Sequence, residues 1–353
     1  MEGLVVDPAR WRGRRVLVTG HTGFKGSWLA LWLQELGAEV AGIALAPPTE
    51  PSLYEAARVG DGVDSREADV RDREAVERAM RELRPELVVH MAAQPLVRRS
   101  FADPLGTYDT NVMGTANVLA GTGAAGARAV VVVTSDKCYA PRPDGRPCRE
   151  DDPLGGSDPY STSKACAEFV AAAWRESFGA GGPAVATVRA GNVIGGGDWA
   201  EDRLVPDAMR AAIDGRPLVV RNPDAVRPWQ HVLNPLSGYL AVAERLLEGD
   251  ATAAEAWNFG PDPGDDLPVR AVADSIAALW GEGLEWRAES DGGPPETRVL
   301  RLDSSKARER LGWSPRWDLD RALAATVDWF RARRDGADAR EATAAQIAEF
   351  GRT

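Results

Sequence analysis

Residues 14–33, RRVLVTGHTGFKGSWLALWL, constrain the fold of this chain more than any other stretch. A β-branched apolar run ends at Thr19, a glycine-rich turn follows, and an apolar helix pattern begins at Phe24. A strand, a glycine turn and a helix in this order bring backbone N–H groups and a helix dipole close to a phosphate. The three glycines then permit the tight turn, the approach of the phosphates and close helix–strand packing: Gly20, Gly23 and Gly26.

Composition excludes several classes of protein. A hydrophobic content of 44% and a charged content of 27% are typical of a soluble globular chain, and a net charge of −11 disfavours general binding to nucleic acid or anionic membranes. The longest apolar runs are too short to span a bilayer. Because the three cysteines (Cys138, Cys148 and Cys166) lack metal-ligand spacing, we expect reduced thiols, no bound metal and a cytoplasmic protein.

Strand and helix patterns alternate through the first half of the chain. Strands are predicted at 39–45, up to 68–70, at 87–91, 127–134 and 184–189, and helices at 74–83, 104–119 and 160–178. This alternation predicts an α/β fold with a Rossmann-type, doubly wound parallel sheet.

Glycine and proline become frequent after residue 190, which indicates a smaller C-terminal α/β substrate-binding lobe. We therefore expect residues 1–190 to bind the dinucleotide and 191–353 mainly to bind substrate. Segments near 229–260, among them a helix at 236–247 and a strand at 257–259, should return to the first domain.

The carboxyl ends of the predicted strands indicate where a dinucleotide would lie, because open α/β sheets bind ligands at that edge. The second strand ends without an acid for the ribose and without an arginine for a 2′-phosphate, so the sequence favours NAD over NADP only slightly. Asp69 could accept a hydrogen bond from the adenine amino group, and the small residues Ala92 and Ala93 follow the fourth strand.

A phenol and an ammonium lie four residues apart at Tyr160 and Lys164, on one face of a predicted helix. An ammonium near a phenol favours the phenolate, which can accept a proton from an alcohol while a hydride leaves the same carbon. Ser135, just after the fifth strand, adds a hydroxyl that could bind the substrate oxygen. With the glycine turn upstream, these residues predict an oxidoreductase-type active site.

Together with Asn111, these motifs resemble the extended short-chain dehydrogenase/reductase family, which includes sugar-nucleotide epimerases and dehydratases. The resemblance implies that Tyr160 is the base, that Lys164 activates it, and that Asn111 completes a proton relay. It also implies bound NAD and a homodimer or dimer of dimers built on the helices at 104–119 and 160–178. The residues expected to bind the cofactor are Gly20, His21, Thr22, Gly23, Phe24, Lys25, Gly26, Asp69, Val70, Ala92, Ala93, Gln94, Thr134, Tyr160 and Lys164.

Asp136 and Lys137, directly after Ser135, resemble the acid–base pair of sugar-nucleotide 4,6-dehydratases, although a lysine stands where a glutamate base is usual. A lysine can remove a proton only when it is neutral, which requires a depressed pKa. Four blocks carry the resemblance to a branch of dehydratases that has this lysine: 21–28, 135–139, 191–199 and 227–232.

The expected partner is a nucleotide-sugar substrate, since fixed guanidinium groups suit a diphosphate. The candidate substrate contacts are Gln94, Ser135, Asn192, Arg203, Arg221, Arg227 and Trp229. Two alternatives stay open at this point. A sugar-nucleotide 4-epimerase or ketoreductase would leave Asp136 and Lys137 without a role, and a non-catalytic dinucleotide sensor would not need Tyr160 and Lys164.

Overall fold

The central element of the computed structural model, which describes residues 6–142, 144–289, 292–293 and 297–352, is a seven-stranded, fully parallel sheet. Its strands lie in the order β10-β6-β5-β4-β1-β2-β3, which confirms the predicted Rossmann-type sheet. They are β1 (Arg15–Thr19), β2 (Glu39–Ala44), β3 (Val63–Glu67), β4 (Leu87–His90), β5 (Ala129–Val133), β6 (Ala184–Ala190) and β10 (Ala256–Phe259).

Helices cover both faces of this sheet. They are α1 (Phe24–Glu35), α2 (Leu53–Ala56), α3 (Arg73–Leu83), α4 (Val97–Ala102), α5 (Pro104–Tyr108), α6 (Gly114–Ala125), α7 (Pro159–Phe178), α8 (Leu204–Ile213), α9 (Leu233–Leu247), α10 (Val269–Trp280), α11 (Ser305–Leu311), α12 (Leu319–Arg334) and α13 (Ala339–Arg352). Successive side chains of a strand face opposite sides, so β1 supplies Val16 and Val18 to one core and Leu17 to the other. Apolar residues on both faces are the pattern of a buried parallel strand.

The chain after residue 190 forms two small sheets. One joins β7 (Asn192–Ile194), β9 (Val226–His231) and β11 (Asp266–Pro268), and the other pairs β8 (Leu218–Val220) with β12 (Trp286–Ala288). Strand β10 hydrogen-bonds to β6 at the edge of the central sheet, and α9 packs against β5 and β6. None of the helices among the described residues has the length and apolarity to cross a membrane.

Two predicted elements differ from the structure. The helix expected at 104–119 is not uniform: a π-helical segment, Asp109–Met113, separates α5 from α6, which continues to Ala125. The third strand ends at Glu67, just before the predicted 68–70 end. By contrast, Asp72 caps α3 as a start signal should, since its side chain accepts a hydrogen bond from the N–H of Ala75.

Candidate active site

The glycine turn between β1 and α1 has a shape that only glycine permits at two of its three positions. Gly20 has a φ of +75°, and a Cβ there would lie 2.8 Å from the backbone of Ala92. A Cβ on Gly26 would lie 2.2 Å from the carbonyl oxygen of Gly20. At Gly23 a Cβ would meet only that same oxygen, at 3.4 Å, so the space above Gly23 is open to a ligand.

The amino end of α1 supplies the donors that a phosphate would need. Gly23 is the N-cap and gives no side-chain cap, so the N–H groups of the first turn are not used by a capping side chain. Ala92 and Ala93 follow β4 at the same sheet edge, and Gly20 touches the backbone of Ala92. This cradle fits a dinucleotide pyrophosphate.

His21 and Thr22 face β2 and β3 rather than the open space. The His21 ring packs so closely on Gly42 that a Cβ there would lie 2.3 Å from Nδ1, and Nε2 lies 2.8 Å from Ser65 Oγ. Burial lowers the pKa of His21 to about 4. Thr22 Oγ1 donates to the carbonyl of Leu45 at 2.9 Å.

The side chains of Asp69 and Gln94 are held by hydrogen bonds to neighbouring residues. Asp69 accepts hydrogen bonds from the guanidinium and the N–H of Arg71, and these lower the pKa of the carboxyl. The Gln94 amide contacts Leu96 and Thr107. Val70 is buried against Gly114 at the start of α6.

Asn111 lies in the π-helical segment and links two predicted parts of the site. Its Oδ1 accepts from the N–H of Gln94 at 2.8 Å, and its Nδ2 donates to the Gln94 carbonyl and to Ser163 Oγ at 2.9 Å. Single π-helical turns inside helices are frequent at functional sites. The segment therefore connects the loop after β4 with the helix that carries Tyr160 and Lys164.

Ser135, Asp136 and Lys137 form a tight turn directly after β5. Ser135 Oγ donates to Asp136 Oδ1 at 2.9 Å and accepts from the N–H of Lys137 at 3.2 Å. Asp136 is 4% exposed, and its Oδ2 has no hydrogen-bond partner among the described residues. Burial raises the pKa of Asp136, while the positive charges of Lys137 and Arg227 oppose the shift. Asp136 therefore holds its proton to a higher pH than a solvent-exposed aspartic acid does.

Tyr160 and Lys164 both lie in the first turns of α7, and both are buried. Burial raises the pKa of Tyr160 to about 12, although a hydrogen bond with Ser135 opposes the rise. The Lys164 ammonium donates to the Val133 carbonyl at 3.2 Å, and burial lowers its pKa to about 8. This corrects the expectation from spacing, because without a bound cation burial outweighs any phenolate-favouring effect of the lysine.

Two positively charged side chains lie near Tyr160 and Lys164: Lys25 from α1 and Arg203 from the start of α8. The Lys25 ammonium lies 3.4 Å from the Tyr239 hydroxyl, and burial together with the charges of Arg203 and Lys164 lowers its pKa to about 7. Arg203 forms an ion pair of 2.9 Å with the buried Asp198, and its charge also acts on Tyr160. Arg203 thus lies beside the predicted catalytic residues.

The other candidate substrate contacts lie on the small sheet and its flanks. Asn192 begins β7, and Arg227 is buried in β9, where Nη1 donates to the Val226 carbonyl at 2.9 Å. Arg221 is paired with Asp202 at 2.6 Å. Trp229 is 4% exposed, donates to the Leu267 carbonyl and belongs to the larger hydrophobic core, so its contact with substrate stays a prediction.

Two residues near the site were not predicted from the sequence: Ser163 accepts a hydrogen bond from Asn111, and the Tyr239 hydroxyl faces Lys25. Ser163 could have been found from its helix position between Tyr160 and Lys164, whereas Lys25 and Tyr239 lie far apart in the chain. Asp198, which belongs to the block 191–199, pairs with Arg203 as a neighbour in sequence. A cleft opens beside Lys137 and is also lined by Arg142, Arg146, Ser161 and Arg301.

A parallel Rossmann-type sheet, a glycine cradle and a Ser–Tyr–Lys centre define an NAD(P)-dependent oxidoreductase-type scaffold. Residues 16–260 match the NAD-dependent epimerase/dehydratase family, and the chain belongs to that family. It is 48% identical to the CDP-glucose 4,6-dehydratase of Salmonella typhimurium over 98% of both chains.

Solved structures of the family superpose on most of the chain. The dTDP-glucose 4,6-dehydratase DesIV of Streptomyces venezuelae, solved with NAD bound, is 27% identical with a TM-score of 0.76 and covers 92% of this chain and 99% of its own. The UDP-glucose 4-epimerase of Thermus thermophilus, in complex with NAD, is 28% identical with a TM-score of 0.74, over 90% of this chain and 99% of its own.

Proposed function

We propose that this chain is an NAD-dependent lyase that converts CDP-glucose to CDP-4-keto-6-deoxyglucose. The observation that carries the proposal is Asp136, a buried acid with a raised pKa, hydrogen-bonded to Ser135 and followed at once by Lys137. A 4-epimerase needs no such acid and base, because it returns the hydride to the carbon that lost it. The near full-length relative named for the same dehydration supports the assignment.

The residues present fit bound NAD. We propose that the pyrophosphate lies over Gly23, on the open side of the glycine cradle, with the nicotinamide toward Tyr160 and Lys164. Bound NAD+ supplies a hydride acceptor for C4 of the sugar and later a hydride donor for C6. Its positive nicotinamide would also lower the raised pKa of Tyr160 and make the phenol a competent base.

The protein side chains move the protons. Tyr160 takes the proton of the C4 hydroxyl, and the Ser135 hydroxyl holds that oxygen. Oxidation at C4 acidifies the hydrogen on C5, and Lys137 is the base that we propose for its removal. Asp136 then gives its proton to the C6 hydroxyl, which leaves as water. A proton then returns to C5, and the overall reaction would consume no oxidant or reductant.

Arg203 and Arg227 are the arginines that we propose for the diphosphate. Arg203 acts on Tyr160 and Arg227 acts on Asp136, so both guanidinium groups lie near the reacting centre. Arg221 and Asn192 would contact the nucleotide farther out. We also propose the division into a cofactor-binding part, residues 1–190 with segments near 229–260, and a substrate lobe, mainly 191–353.

We further infer a homodimer, or a dimer of dimers, through an apolar helix face. Phe101 and Leu105 are 44% and 80% exposed, and Phe169 on α7 is 57% exposed, on helices that pack side by side. Large exposed apolar side chains grouped in this way mark interaction surfaces. The free thiols of Cys138, Cys148 and Cys166 support a reducing, cytoplasmic compartment.

Incubation of the protein and NAD+ with CDP-glucose, dTDP-glucose, UDP-glucose and GDP-mannose tests the proposal. We expect the alkali-induced absorbance of a 4-keto sugar with CDP-glucose, and a product that mass spectrometry shows to have lost one water. A product of unchanged mass would instead support a 4-epimerase. If only one of the other sugar nucleotides is dehydrated, the chain is a dehydratase with a different substrate.

A further inference from the structure

A fully buried ion pair lies behind the turn that carries Ser135, Asp136 and Lys137. Glu168 on α7 and Arg189 on β6 are 2% and 3% exposed, and they form two parallel bonds: Nε to Oε1 at 2.9 Å and Nη2 to Oε2 at 2.8 Å. Taking two charges out of water costs about as much as their attraction returns, so such a pair adds little net stability. Its position therefore needs another explanation.

The pair holds both ends of the catalytic turn, which we define as residues 134–139. At one end, Thr134 Oγ1 donates to Glu168 Oε1 at 2.5 Å. At the other end, Arg189 Nη1 donates to the Tyr139 hydroxyl at 2.7 Å, and that hydroxyl donates to Asn258 Oδ1 at 2.7 Å. The three residues proposed for proton transfer thus lie between two anchors that share one ion pair.

The same pair also supports Lys164. Glu168 lies one helical turn after Lys164 on α7, and its negative charge is the largest influence that opposes the effect of burial on the ammonium. Lys164 Nζ donates to the Val133 carbonyl, directly before the catalytic turn. Cys138 in the turn also raises the pKa of Lys164, and the Lys164 charge lowers the pKa values of two further groups that face it, His90 in β4 and Lys25 in α1.

We propose that Glu168 and Arg189 are positioning residues for the reaction. They fix the catalytic turn against α7 and keep the Lys164 ammonium protonated beside Tyr160, so that proton and hydride transfer start from one geometry. This inference rests on the proposed function and names two residues that would touch neither the cofactor nor the sugar.

Three variants and one control test the proposal with NAD+ and CDP-glucose. Glu168→Gln removes the charge, Glu168→Gln with Arg189→Met replaces the pair by neutral groups of similar size, and Tyr139→Phe removes one anchor without changing any charge. The control is Glu244→Gln. Glu244 lies in the last turn of α9, and its buried carboxylate accepts a hydrogen bond of 2.7 Å from the ring N–H of Trp11. Circular dichroism and thermal unfolding identify the folded variants.

We expect kcat to fall by about 10²-fold in the neutral-pair variant, with KM within about twofold, since small misplacements of catalytic groups cost that much. Tyr139→Phe should lower kcat in the same direction while remaining folded. In stopped-flow experiments that follow NADH appearance, the alkaline limb for Glu168→Gln should move to lower pH, because Lys164 has lost a nearby negative charge. Glu244→Gln should change thermal stability and leave kcat and its pH profile as in the parent.

Unchanged kcat and pH profile in folded Glu168→Gln and Tyr139→Phe would overturn the positioning role. So would equal losses in Glu244→Gln, since they would show a general effect of stability. If the parent turns over none of the sugar nucleotides, the proposed function itself is wrong and this inference falls with it. An active parent with unaffected variants rejects the inference alone.

Discussion

Burial and the nearby Lys164 ammonium are expected to shift the pKa of Tyr160 in opposite directions. The four-residue separation from Lys164 suggests a phenolate, yet burial raises the phenol pKa to about 12 in the protein without ligands. Desolvation in the packed fold is the largest cause of the difference, and the negative charges of Asp136 and Asp158 add to it. The positive charge of bound NAD+ would therefore have to activate the base, and Tyr160 would become competent mainly in the cofactor complex.

Tyr160→Phe should lower turnover by about 10²–10⁴-fold, the cost of a lost general base, and leave binding of NAD+ and CDP-glucose unchanged. Only one oxygen is removed, and the ring keeps its packing in α7. Steady-state kinetics and isothermal titration measure the two quantities. Parent-like turnover would remove Tyr160 from the mechanism.

In the proposed mechanism Asp136 and Lys137 serve the elimination of water and are not needed for the first oxidation. Asp136→Asn and Lys137→Ala should permit hydride transfer from C4 and block loss of water, because oxidation uses Ser135, Tyr160 and Lys164 instead. Enzyme-bound NADH absorbance should therefore persist after substrate is added. Exchange of the C5 hydrogen with solvent should disappear in Lys137→Ala and continue in Asp136→Asn; parent rates of product formation in both variants would contradict these roles.

The raised pKa of Asp136 also sets a pH dependence. The acid acts only when protonated, so the rate of elimination should fall as pH rises through this pKa. Because Asp136→Asn cannot titrate, the residual activity of that variant should lack this limb.

In the glycine turn between β1 and α1, one glycine is needed for folding and another for cofactor binding. Gly26→Ala would place a Cβ 2.2 Å from the Gly20 carbonyl and should destabilise the fold. Gly23→Ala meets only the same oxygen at 3.4 Å, so the melting temperature should stay near that of the parent. Its new methyl group would occupy the proposed pyrophosphate position, and we expect NAD+ affinity to fall about tenfold or more, a loss of about 1.4 kcal/mol or more.

Thermal unfolding and titration with NAD+ check this pair of variants. Equal NAD+ affinity in Gly23→Ala and the parent would show that the pyrophosphate lies elsewhere. The alanine at Gly26 serves as the control, because it tests the packing of the turn rather than the open side of the cradle.

The sequence predicts elements with strong local signals well. The strand–turn–helix at 14–33 and the capped helix α3 are both present, since their determinants lie within a few residues. The π-helical segment could not be predicted, because its Asn111 contacts Gln94 and Ser163 across the fold. The same holds for the pairing of Glu168 with Arg189, and the burial that sets the Tyr160 pKa is likewise tertiary.

All three histidines of the chain are buried, and each is neutral in the folded protein. Burial lowers the pKa of His21 to about 4 and those of His90 and His231 to about 3. Below an unfolded pKa of 6.5 the unfolded chain binds more protons than the native one, so stability rises with pH in this window and is lost as pH falls.

Between about pH 7.5 and pH 5.5 the three histidines together should lower the free energy of unfolding by roughly 4 kcal/mol. Asp266 acts in the opposite direction, because burial raises the pKa of its carboxyl to about 6. Urea unfolding of the parent and of His21→Asn at several pH values isolates one histidine, whose removal should take away about a third of the histidine contribution. An equal pH dependence in the parent and in His21→Asn would show that the His21 ring is not buried as the structure has it.

If the chain is a 4,6-dehydratase, one molecule of NAD+ should carry a hydride from C4 to C6 of the same sugar. The most direct test is turnover of CDP-glucose deuterated at C4, with NAD+ in catalytic amount and analysis by mass spectrometry and NMR. We predict a 4-keto-6-deoxy product that has lost one water and carries the deuterium at C6, without net reduced cofactor. A product of unchanged mass with deuterium retained at C4, or deuterium released in free NADH, would contradict it.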